Sequence, residues 1–121
     1  MAQIIEFIFS IQTNIKMYHW TTKSFARHKA ADELVNKILD LGDQFMEVYI
    51  GKHGRQHLKK PANIKLLNLD DNSVLDYINL SIKFLETDIL KIIKKQDTDL
   101  LNIRDEMLST LNQTKYLFTL E

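Results

Sequence analysis

Apolar residues recur along this chain at spacings of three and four. Ile4, Ile8, Ile11, Ile15 and Tyr18 form one series, which predicts a helix A from Ala2 to about Thr22. A second helix, B, is expected from Ser24 or Phe25 to Ile50, with the Ser24 hydroxyl as N-cap and Gly51 and Gly54 as stop signals. Helix C starts near the cluster Asp70-Asp71-Asn72-Ser73, carries Ile78, Ile82, Leu85, Ile89 and Ile92, and runs to about Gln96. Helix D follows Asp97 or Thr98 and continues to the C-terminus with Leu100, Ile103, Met107, Leu111 and Phe118. The A–B and C–D links are short, so each pair should form an antiparallel hairpin. The B–C link, Gly51 to about Asp71, is long and suggests a crossover along the bundle. The pattern predicts an all-α protein, a ferritin-like four-helix bundle with a long B–C crossover, in a single domain over residues 1–121.

Helix B is unusual in its faces. At about 100° per residue, Leu34, Ile38, Leu41, Phe45 and Val48 share a core stripe. Arg27 points the same way but sits in the first turn, where fraying is expected. Lys29, Glu33, Lys37, Asp40 and Gln44 share a solvent face, while Val35, Leu39, Gly42, Met46 and Ile50 make a second apolar face. A helix apolar on two faces should be buried on two faces. A second copy of the chain is the simplest cover, with Gly42 letting the two backbones approach.

His28, Asp32, Asp43 and Glu47 border that second face, spread over about 100°. Imidazole and carboxylate are the ligand types of iron, manganese and zinc. Asp32 and Asp43 are about 16 Å apart along the helix, whereas a metal–ligand bond is about 2 Å. One chain alone therefore cannot use all four. Two copies of helix B, antiparallel across a two-fold axis near Lys37 and Ile38, would set His28 and Asp32 of one chain beside Asp43 and Glu47 of the other. Two equivalent sites would result. His19, folded back by the short A–B link, would complete each.

Composition adjusts this picture in a few places. The 121 residues hold sixteen basic and sixteen acidic side chains and no cysteine. Zero formal charge argues against a general nucleic-acid binder, and thiolate metal sites are excluded. The basic run Lys52, His53, Arg55, His57, Lys59, Lys60 reads as a solvated part of the crossover, and Gly54 argues against a His53–His57 helical metal pair. Trp20 and Phe25 read as packing at the A–B corner. The run Ile4 to Ile11 is broken by Glu6 and is too short to span a bilayer, so no membrane partner is expected. No Glu-x-x-His motif occurs, which argues against the intra-bundle di-iron site of large ferritins.

The stretch HWTTKSFARHKAADEL, followed by Asp43 and Glu47, resembles the Dps family of mini-ferritins, and most of all the short Dps-like proteins of viruses and phages. His19-Trp20, Phe25, His28, Asp32, Asp43 and Glu47 fill the family's motif positions. The His19–His28 interval is shorter than in typical members, Val48 stands where they carry a basic residue, and the lysine-rich tail many use on DNA is absent. The resemblance implies a ferroxidase centre of His19, His28, Asp32, Asp43 and Glu47 between two-fold-related chains. It also implies iron as the metal, with zinc and manganese as alternatives, and storage or detoxification as the role. A homo-oligomer with a two-fold dimer through helix B, and a larger shell beyond it, is expected, in the cytoplasm of a cell or host or in a virion. The competing expectation is a non-enzymatic helical oligomer, an interaction or structural module whose metal site is vestigial or structural. A reduced Dps-like protein that binds nucleic acid through the basic run is a third.

Overall fold

Four α-helices account for most of the computed structural model, which describes residues 2–121: α1 (Ala2–Thr21), α2 (Phe25–His53), α3 (Ser73–Glu86) and α4 (Thr98–Leu117). They correspond to helices A to D and make an all-α four-helix bundle, with no strand among the described residues. Helix α1 buries Ile4, Ile8, Ile11, Ile15 and Tyr18, the series that predicts it. Helix α2 buries Leu34, Ile38 and Phe45, and keeps Lys29, Glu33, Lys37, Asp40 and Gln44 in water. Leu100, Ile103, Met107 and Leu111 of α4 close the core with Ile78 and Leu85 of α3.

The helix ends follow local chemistry. Ser24 Oγ accepts the Arg27 N–H at 3.2 Å, the capping bond its position predicts. Gly54 ends α2 with φ of 89°, a backbone that side chains with a Cβ rarely adopt, and its N–H reaches the Ile50 carbonyl at 2.8 Å. Gly51 is not a stop: it stays helical, and α2 continues to His53. Helix α3 ends at Glu86, well short of Gln96. There the Thr87 backbone leaves the helical region, and its hydroxyl bonds the Lys83 carbonyl at 2.8 Å. Arg104 takes the Leu85 carbonyl at 3.0 Å, which satisfies a helix end. A 3-10 turn, Asp88–Lys91, then brings Ile89 into the core.

Both ends of the bundle are tied by polar contacts. At one end Arg27 donates to the Phe118 carbonyl (3.1 Å), the Tyr18 hydroxyl (3.1 Å) and the Asp71 carbonyl (2.7 Å), while Tyr18 donates to Asp71 Oδ1 at 2.6 Å. Arg27 is therefore a junction of four segments and not a frayed side chain. At the other end Lys52 of α2 bridges Asp97 (2.7 Å) and Asp99 (2.8 Å) at the start of α4. Residues 54–72 carry no helix or strand. They start beside the Lys52 end and finish beside the Arg27 end. On the way, buried Asn14 of α1 donates to the Lys65 carbonyl at 3.0 Å and accepts from the Leu67 N–H at 2.7 Å.

Candidate functional site

Helix α1 packs on α2, and this pairing carries the candidate residues. The short turn after Thr21 folds the end of α1 back on the start of α2. It places His19 and His28 face to face, with ring centroids 3.9 Å apart and planes 15° from parallel. His19 Nδ1 lies 2.7 Å from the His28 carbonyl, and His28 Nδ1 lies 2.7 Å from the His19 carbonyl. A carbonyl oxygen only accepts, so both Nδ1 atoms carry the hydrogen. Neutral rings of this tautomer leave both Nε2 lone pairs free. A metal-binding imidazole is held in the same way, its second nitrogen donating to a carbonyl or carboxylate.

Asp32 lies one helical turn beyond His28. Its Oδ1 is 4.0 Å from His19 Nε2 and 2.9 Å from the Lys16 ammonium. The Lys16 hydrogen bond, with the Lys16 charge and the two nearby imidazoles, holds the Asp32 carboxyl below its ordinary range. Periodicity alone reads Lys16 as an ordinary charge on an amphipathic helix; the one pointer to it is its place three residues before His19, on the same helix face.

Asp43 and Glu47 lie further along α2, and both are exposed. Among the described residues they form none of the ion pairs, and they do not join His19, His28 and Asp32. Among the described residues of one chain, no group of three or more His, Cys, Asp or Glu side chains converges on a common point. The five candidates thus fall into a stacked pair of imidazoles with Asp32 nearby but not converged on them, and two carboxylates further along α2.

The second apolar face of α2 is covered in part from within the chain. Val35 and Gly42 are buried, and a Cβ on Gly42 would stand 2.9 Å from Cγ2 of Ile8. The glycine thus lets α1, not a second chain, approach α2. Leu39 remains 44% exposed, beside Phe9 of α1 at 50%. Together with Ile5, Met46 and Asp43 these residues line a cleft of about 80 Å³. Trp20 and Phe25 do not pack into the corner: they are 68% and 74% exposed. Phe25 flanks the His28 ring at 6.3 Å.

Residues 19–118 match the model of a family described as a family of unknown function, DUF5856. The chain belongs to this family. The DUF5856 match opens at His19 and spans all five candidate residues. A relative from Enterobacteria phage T4, the uncharacterized 14.6 kDa protein of the mobD-ri intergenic region, is 31% identical over 103 residues, covering 85% of this chain and 75% of its own. No solved structure matches this DUF5856 chain. None of its described helices is long and apolar enough to cross a membrane.

Proposed function

We propose that this chain is a mini-ferritin-like protein that binds Fe(II) at a site shared between two copies and oxidises it, in iron storage or detoxification. The observation that carries this reading is the His19–His28 pair: two imidazoles locked with their Nδ1 atoms on carbonyls and their Nε2 atoms free. Asp32 stands beside them. Asp43 and Glu47, exposed on α2, offer the remaining carboxylates to a partner copy. The apolar patch of Phe9 and Leu39 next to Asp43 supplies surface for that copy to cover. A link that leaves α2 at one end of the bundle, passes Asn14 and enters α3 at the other fits a ferritin-type crossover.

Iron is substrate here. Each Fe(II) gives up one electron, so two ions reduce one peroxide to water with two protons, and oxygen is the alternative oxidant. The hard carboxylates favour the Fe(III) product, while the imidazoles hold Fe(II). The chain's task is to bind the ions next to each other with open positions for the oxidant.

Mixing variants tests this arrangement. His28→Ala and Glu47→Ala should each impair both sites of a dimer. A heterodimer of the two carries one intact site and one doubly damaged site, so mixing should restore part of the Fe(II) oxidation. No recovery despite heterodimer formation would overturn the shared site. One observation favours a second reading, a helical interaction module without catalysis: Asp32 already has a cation, Lys16, and is not short of a partner. Failure of the wild-type protein to bind Fe(II), Mn(II) or Zn(II) would decide for that reading.

A further inference from the structure

Lys16 lies three residues before His19 on α1, and its ammonium sits 2.9 Å from Asp32 Oδ1. The same oxygen is the one that faces His19 Nε2, at 4.0 Å. A metal bound to an imidazole nitrogen and a carboxylate oxygen at ~2.0–2.2 Å from each, with tetrahedral or octahedral angles, brings those two atoms to about 3–3.5 Å. Asp32 therefore stands back from the His19 imidazole and within hydrogen-bond reach of Lys16. We propose that Lys16 is a resident cation that competes with the incoming metal for Asp32 and so sets the affinity of the site. This rests on the metal-site reading above.

Three features fit that role. The Lys16 side chain is 38% exposed, so its ammonium can swing into water on a flexible stem without being buried unpaired. Among the described residues, Asp32 has no other cationic side chain within ion-pairing distance apart from His19 at the 4.0 Å limit. Among the described residues, no cation pairs with Asp43 or Glu47. In a dimer with three carboxylates at each site, Lys16 would be the lysine on hand to offset them before metal arrives. Metal entry then exchanges an ammonium for a divalent ion at Asp32, and the binding free energy is reduced by the lost ion pair.

The test is titration of full-length apo protein with Zn(II) by calorimetry, and with Co(II) by its visible absorption. Lys16→Met keeps the stem and removes the charge, and Lys16→Gln is a polar control in case the first variant folds poorly. Both should bind Zn(II) and Co(II) about tenfold more tightly or better, because the competing charge next to the metal is gone. Lys16→Arg keeps the charge and should stay within about threefold of wild type. Thermal melts of the apo variants show whether the fold is intact. Wild-type affinity in both neutral variants, with metal still bound, would overturn the role of Lys16 and leave the metal site standing. Absence of binding in wild type and both neutral variants would overturn both. Binding in the neutral variants alone would be the strongest support.

Discussion

His19 and His28 secure each other: each ring's Nδ1 meets the other residue's carbonyl at 2.7 Å, with the two rings stacked between. The pairing fixes which nitrogen carries the proton. At a pH where both rings are neutral, nitrogen NMR should show both as the Nδ1–H tautomer, with Nε2 unprotonated. Zn(II) should then shift both Nε2 resonances and leave the Nδ1 protons in place. An Nε2–H tautomer in either ring would contradict the arrangement.

Gly42 and Leu39 separate fold from assembly. Alanine at position 42 gains about 1 kcal/mol of helix propensity, but its Cβ meets the buried, branched Ile8 at 2.9 Å. Overpacking of this kind costs ~1–3 kcal/mol, so Gly42→Ala should be neutral to mildly destabilising by thermal melt, and Gly42→Val clearly destabilising. Gly42→Glu would disturb the monomer itself and is a poor probe of a dimer.

Leu39→Glu falls on exposed surface and should leave the helical circular dichroism unchanged. If a two-fold dimer forms through α2, the substitution should shift the mass in light scattering from dimer to monomer, since it would bury a charge without a partner. A wild-type protein that is monomeric at micromolar concentration would remove the dimer from the proposal.

Asn14 is fully buried and holds the long link with both ends of its amide. Asn14→Leu would remove the two bonds that hold the link, to the Lys65 carbonyl and from the Leu67 N–H, at a cost of about 0.5–1.5 kcal/mol for each. Denaturant melts should show that loss. Amide exchange near Leu67 should accelerate more than exchange in α4.

The clamp of Lys52 with Asp97 and Asp99 gives a pH signature. Lys52, then the Lys94 N–H, hold the Asp97 carboxyl below its ordinary value of 3.8. A carboxyl depressed in the folded state stabilises above its unfolded value, and that stability is lost as pH falls through the folded value. Asp97, then Asp99, raise the Lys52 ammonium above 10.5. Its contribution is present below that value and lost as pH rises through the higher folded one. The Tm deficit of Lys52→Met should therefore be largest near neutrality and shrink below about pH 3.8 and above about pH 10.5. A deficit independent of pH would contradict the ion pair.

Much of the bundle was legible because helical period and core burial coincide. Ile4, Ile8, Ile11, Ile15 and Tyr18 are all buried where a spacing of three and four puts them. Ser24 capped as its type and place suggest. What escaped was long-range. Nothing local says that Thr87 leaves the helix while Ile89 and Ile93 continue an apolar pattern into the core. Gly51 and Gly54 look alike in sequence, and only Gly54 takes the positive φ. The imidazole pair was legible as a convergence of His19 and His28, but the reciprocal carbonyl bonds and the Lys16–Asp32 pair depend on how α1 seats on α2. The small residue at position 42 signalled a close approach correctly, and the helix making that approach was α1.

From Gly54 to Asn63 every residue is exposed, and Arg55 and Lys59 offer peptide bonds a trypsin-like protease can reach. A nick there would divide the chain into a front half with α1 and α2 and a rear half with α3 and α4. The halves would still be held by α2 against α4 and by Asn14 on the rear half's Lys65 and Leu67. The cleaved protein should migrate as one body on a native gel and as two fragments under denaturation. The halves, made as separate polypeptides, should reassemble: covalent continuity through this strap is a convenience of synthesis rather than a condition of the bundle.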